Sequence, residues 1–136
     1  MDALSPRMPL ADVNRISMLG LAHVGDGVYE LLVRTYLCSC GHSAVQELHR
    51  LTVEYVKAPA QAAAAEKIFP LLTEEEQAVY KRGRNTKVNS VPHSADIGQY
   101  HAATALEALF GWLYLLGRTD RIGELFARIT EDGHAS

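Results

Sequence analysis

The chain has 136 residues, of which 48% are hydrophobic and 21% charged, with a formal net charge of −3. These values describe one globular domain with a real core and no second module. They argue against a uniformly basic nucleic-acid binder and, since no apolar run reaches roughly 18 residues, against a membrane-spanning protein.

The chain reads as helical throughout, because no stretch alternates apolar and polar residues long enough for a strand. A first long helix is predicted over Ser17–Leu37, ending near Gly41. Leu19, Val24, Val28, Leu31 and Leu32 supply an apolar stripe, and the run is read as buried. Ser43 reads as the N-cap of a second helix, with Glu47 near its first turn, running to about Tyr55. Pro59 suits the first turn of a third helix, whose Ala62–Ala65 run favours helix and which stops near Pro70. Thr73 and Glu76 form a Thr-x-x-Glu capping box for a fourth helix, predicted to end at Arg82 and break at Gly83. Asn85 to Ser94 is polar, is interrupted by Pro92 and reads as a loop. A second long helix follows over Asp96–Leu116, with Ala103, Leu106, Phe110, Leu113 and Leu116 as its apolar face and Gly117 as its stop. A last helix covers Asp120–Ile129, before a frayed tail. No internal repeat is present.

Asp26 is the first residue with a claim to chemistry. It lies between Gly25 and Gly27, and each glycine costs a helix about 1 kcal/mol against alanine. Close approach of another helix is the usual offset, and an acid at such a crossing is either paired internally or holds a metal. Glu107, in a similarly apolar helix eighty-one positions later, keeps the metal reading open. Two carboxylates meeting in a partly apolar site require either a proton or a cation between them. Oxygen ligands select a hard divalent cation such as magnesium or manganese. Glu30, one turn beyond Asp26, reads either as an outer supporting ligand or as a solvent-facing acid.

Lys81, Arg82, Arg84 and Lys87 place four cations in seven residues. With Asn85 they could contact phosphate and sugar, or they could simply complement the helix dipole. Gly83 would allow a sharp turn or a close ligand. His23 and His101 read as packing residues, and no zinc-type histidine pair occurs. Trp112, Tyr114, Phe110 and Phe126 read as core or dimer interface. Cys38 and Cys40 are the only cysteines, are spaced poorly for a disulfide, and read as reduced thiols in the cytoplasm. The N-terminus, with Asp2 and Pro6 ahead of any apolar stretch, does not read as a secretory signal.

Val24-Gly25-Asp26-Gly27-Val28-Tyr29-Glu30-Leu31 resembles the signature helix of ribonuclease III catalytic domains. Ala105-Leu106-Glu107-Ala108-Leu109-Phe110-Gly111 resembles their second acidic motif. Arg82-Gly83-Arg84-Asn85 resembles the basic element of the Mini-ribonuclease III branch, which lacks a double-stranded-RNA-binding domain. The resemblance spans about Leu10 to Ile129 in order and spacing. It implies an all-α, ribonuclease III endonuclease-domain-like helical bundle, homodimeric, with Asp26 and Glu107 as the metal-binding catalytic pair. It also implies magnesium-dependent cleavage of double-stranded RNA to 5′-phosphate and 3′-hydroxyl ends. The branch trims the 23S ribosomal RNA precursor, which brings in a ribosomal protein on the substrate as a further expected partner. The chain departs from the full-length ribonuclease III pattern at Ala22 and Thr104, where that pattern has acids. Thr104 could still orient a metal-bound water. Two other readings follow from these features: a noncatalytic dimeric duplex-binding module, and a protein-interaction module in which Asp26 is a structural ion-pair partner.

Overall fold

The computed structural model describes residues 1–87 and 96–131. Seven α-helices occur among them: α1 (Leu10–Val13), α2 (Met18–Ser39), α3 (Val45–Val56), α4 (Ala58–Ile68), α5 (Glu74–Arg84), α6 (Ile97–Leu115) and α7 (Thr119–Thr130), with a short 3-10 helix, Phe69–Leu71, between α4 and α5. No strand occurs among the described residues. None of these helices is long and apolar enough to cross a membrane. Most of the loop expected over Asn85–Ser94, His93, His134 and the end of the tail lie outside the described residues.

The helix ends follow from local chemistry. The Ser17 hydroxyl accepts from the Gly20 amide at 3.0 Å, and Asp96 Oδ1 accepts from the Gln99 amide at 3.0 Å. Thr73 and Glu76 complete a capping box, each side chain accepting from the other's backbone amide. Gly41 and Gly117 adopt φ of +94° and +80° after α2 and α6, a conformation that side-chain-bearing residues rarely take. Three expectations change. Ala44, not Ser43, caps α3. The short helix α1 was not anticipated. And α5 runs through Gly83 to Arg84 instead of breaking there.

α6 is the axis of the molecule. It is buried nearly all round, from Ala103 to Leu113 with Glu107 only partly covered, and not along the single expected face alone. α2, α4 and α5 pack around it. α2 faces it through Leu21, Ala22, Gly25, Tyr29, Val33 and Leu37. This corrects the expected stripe: Leu19 and Leu31 are exposed, and Val24, Val28 and Leu32 are only half-buried. The N-terminal segment straps the end of α6, with the Met8 amide donating to Leu115 O at 2.9 Å and Trp112 Nε1 to Asn14 Oδ1 at 3.1 Å. α7 is fastened to the start of α5 by Arg121, which donates to both Glu76 carboxylate oxygens at 2.9 Å and to Leu71 O at 2.8 Å. Phe110, Trp112 and Phe126 are core residues, and Tyr29 packs edge-on against Phe110 and Phe126.

Candidate active site at the crossing of two helices

Gly25 and Gly111 bring α2 and α6 into backbone contact. A Cβ on Gly25 would lie 1.6 Å from Glu107 O and 2.9 Å from the Gly111 amide nitrogen. One on Gly111 would lie 2.0 Å from Leu21 O. This is the close approach that the glycines beside Asp26 imply, but only Gly25 supplies it. A Cβ on Gly27 would meet nothing within 4 Å.

The crossing sets Asp26 beside Glu107. Asp26 is exposed on its rim, not buried in the run as expected, while Glu107 is partly covered. Burial raises the Glu107 carboxyl, the neighbouring Asp26 carboxylate raises it further, and the Gln61 amide offsets this only in part, leaving it at about 8. Burial raises the Tyr29 phenol, as do nearby Tyr55 and Glu107.

Because the folded-state value of about 8 lies above the ordinary 4.5, Glu107 contributes full stability below about 4.5, lost as the pH rises through 8. In EDTA, the melting temperature should therefore fall between pH 5 and 8, and Glu107→Gln should remove most of that fall. An equal fall in the variant would assign it to other groups.

The remaining candidates divide. Gly83 is buried in α5 against α6, where an added Cβ would lie 3.0 Å from Ala105 Cα and 3.2 Å from Ala108 Cβ. It is a helix contact, not a turn or a ligand cradle. That contact seats the last turn of α5 on Ala105 and Ala108 of α6, and Arg84 lines a cavity with Tyr80, Asp96, Gln99 and Ala102. Lys81, Arg82, Arg84, Asn85 and Lys87 are all exposed, and none of the four cations forms an ion pair among the described residues. Lys81 lies 6.0 Å from the Phe69 ring centroid. α5 also has Glu74, Glu75 and Glu76 in its first turn and Lys81, Arg82 and Arg84 in its last, so the helix-dipole arrangement is present as well. Glu30 is half-buried and pairs with Arg34 at 3.6 Å. Thr104 is buried and its hydroxyl donates to Tyr100 O at 3.1 Å, within its own helix. Ala22 is buried too. His101 is partly buried on α6, and its Nδ1 has no hydrogen-bond partner among the described residues.

One further residue, Gln61, adjoins the site. Gln61 on α4 is buried, and its Nε2 donates to Glu107 Oε2 at 3.4 Å. The available signal was a polar residue on the buried stripe of an alanine-rich helix.

The donor set suits a hard divalent cation. Two carboxylates, one of them driven towards its neutral form, have a charge that a cation would relieve, and all the donors are oxygens. Among the described residues, no group of three or more His, Cys, Asp or Glu side chains converges to hold a metal. Magnesium tolerates this because it retains several waters.

A model of the ribonuclease III domain matches residues 19–118. The chain is 46% identical over 118 residues to the Mini-ribonuclease 3 of Symbiobacterium thermophilum, covering 87% of this chain and 91% of that one. It is 41% identical over 118 residues to the Mini-ribonuclease 3 of Enterococcus faecalis, covering 85% and 89%. A crystal structure of a Fusobacterium nucleatum protein superposes with a TM-score of 0.80 at 31% identity, covering 87% of this chain and 91% of that one. The chain belongs to the ribonuclease III family. Its similarity over most of its length is to the Mini-ribonuclease III branch.

Proposed function

We propose that this chain is a magnesium-dependent endoribonuclease that cuts double-stranded RNA, leaving 5′-phosphate and 3′-hydroxyl ends. The observation that carries this reading is the pairing of Asp26 with Glu107 at the Gly25–Gly111 contact, with the cationic end of α5 packed on the adjoining turn of α6. Asp26 and Glu107 would hold the magnesium, or manganese in its place. Such an ion neutralises charge on a scissile phosphodiester and lowers the pKa of bound water. The protein's own part is to keep the two acids together on fixed helices and to seat the phosphate backbone. Duplex RNA presents a shallow minor groove lined with 2′-hydroxyls, so it is gripped by shape and backbone. Lys81, Arg82, Arg84, Asn85 and Lys87 supply that grip. The ends of the 23S ribosomal RNA precursor, presented with a ribosomal protein, are the proposed substrate in the cytoplasm. The whole chain serves as a single catalytic domain with a core over about 10–130.

Neutralising Arg82 and Arg84 together should weaken duplex binding and lower the salt slope by about one unit per lost phosphate contact. Filter binding across a potassium chloride series would measure this, and an unchanged slope would remove these residues from the interface.

The functional unit we propose is a homodimer. Val24, Gly27, Val28, Leu31, Leu32, Tyr114 and Ile122 line an apolar groove of about 420 Å³, and Leu31 is 61% exposed. An exposed apolar groove of this kind marks an interaction surface. Gly27, with open space around it, would let a partner helix approach closely. Leu31→Glu should give a folded monomer by sedimentation velocity, whereas a persisting dimer would place the interface elsewhere.

A second reading, a duplex-binding module without cleavage, draws on Ala22 and Thr104, which supply no charge. Cleavage of an end-labelled RNA duplex with magnesium and with EDTA separates the two: cutting only with magnesium supports the nuclease, and binding without cutting supports the module.

A further inference from the structure

The buried face of α4 consists of Gln61, Ala64, Ala65 and Ile68. These are the i, i+3, i+4 and i+7 positions of one helical stripe. Three are apolar, and any mid-sized apolar residue would complete the pattern. Gln61 breaks it, at 3% exposure. A buried carboxamide is costly unless it is hydrogen-bonded, so its partner explains its presence. That partner is Glu107, 46 positions away on another helix, through the bond from Nε2 to Oε2.

We propose that Gln61 is a positioning residue, holding the Glu107 carboxylate in a fixed orientation so that the Asp26–Glu107 pair is pre-arranged for a divalent cation. The inference rests on the metal-dependent reading above. A glutamate side chain rotates about three bonds, and each must be fixed before its carboxylate can serve as a ligand. An amide anchored on a third helix, and bonded to one carboxylate oxygen, restricts that rotation in advance. Groups that orient ligands in this way commonly alter metal affinity by 10- to 100-fold, roughly, when they are lost. The effect weighs more here because Ala22 and Thr104 add no charge, leaving cation affinity to the arrangement of two acids.

Gln61→Met tests this, since it keeps length and approximate volume and removes the amide. Gln61→Leu, matched to the apolar stripe, is run beside it. Manganese binding is measured on RNA-free protein from the electron paramagnetic resonance signal of free Mn²⁺, with melting temperatures taken in EDTA. Wild type should bind Mn²⁺ and Asp26→Asn should not. Both Gln61 variants should bind about tenfold more weakly or worse, with melting temperatures equal to or above wild type. Wild-type Mn²⁺ affinity in a folded Gln61 variant overturns the assignment and leaves the metal-dependent reading standing. Failure of both variants to fold also overturns it, because the amide would then be structural. Absence of Mn²⁺ binding by wild type overturns both the assignment and the reading beneath it.

Discussion

Asp26→Asn should lower the rate of duplex cleavage at least about a thousandfold while leaving the helical fold intact. A loss of that size corresponds to about 4 kcal/mol of transition-state stabilisation, the scale on which a preorganised electrostatic contact acts. The site has no reserve to soften it. Ala22 and Thr104 are buried without charge, the Thr104 hydroxyl is bonded to Tyr100 O, and Glu30 is paired with Arg34. Removing one of two acids therefore removes half of the anionic ligand set. The fold should tolerate the change, because asparagine is the same size and Asp26 lies on an exposed rim. Metal-free protein should even gain stability near pH 8, since the Asp26 charge is one of the causes that raise Glu107. Single-turnover cleavage of an end-labelled duplex, beside thermal melts in EDTA, measures both effects. Wild-type cutting by the variant would show that the cation is held elsewhere.

The helices were legible where a cap or a stop is written in one or two residues. Ser17, Thr73 with Glu76, Asp96 and Gly117 each act through bonds or backbone angles within a few positions, so their effect survives any tertiary context. The pairing of Asp26 with Glu107 was legible for a related reason, since glycine within an apolar helix implies a neighbour at backbone distance. What failed depends on partners distant in sequence. The α2 stripe reads through Leu19, Val24, Val28, Leu31 and Leu32 because α2 has two apolar faces, and periodicity alone cannot say which of them meets α6. The face through Leu21, Gly25, Tyr29 and Val33 won because Gly25 permits the tighter crossing. Gly83 reads as a break because its intrinsic helix cost is visible in the sequence, whereas its contact with Ala105 and Ala108 is not. Gln61 went unnoticed because its justification is a single bond to Glu107, 46 residues away.

Gly25→Ala should be the most damaging small substitution in the chain. Its added methyl would sit 1.6 Å from Glu107 O and 2.5 Å from the same residue's carbonyl carbon, both backbone atoms that no rotamer change can move. α2 and α6 would have to separate, opening the layer that Leu21, Tyr29 and Val33 form against Leu106, Leu109, Phe110 and Leu113. Overpacking relieved by side chains costs roughly 1–3 kcal/mol; here the backbone must yield, so about 4 kcal/mol or more is expected. Gly27→Ala is the matched control, because its methyl meets nothing within 4 Å and alanine favours helix by about 1 kcal/mol. In the Leu31→Glu background, where the proposed interface is open, urea denaturation of the two variants should thus move in opposite directions. Gly25→Ala should also lose cleavage under conditions where it is still folded, since the same separation draws Asp26 away from Glu107. Wild-type stability in Gly25→Ala would contradict so close a crossing, and with it the reason the two acids meet at all.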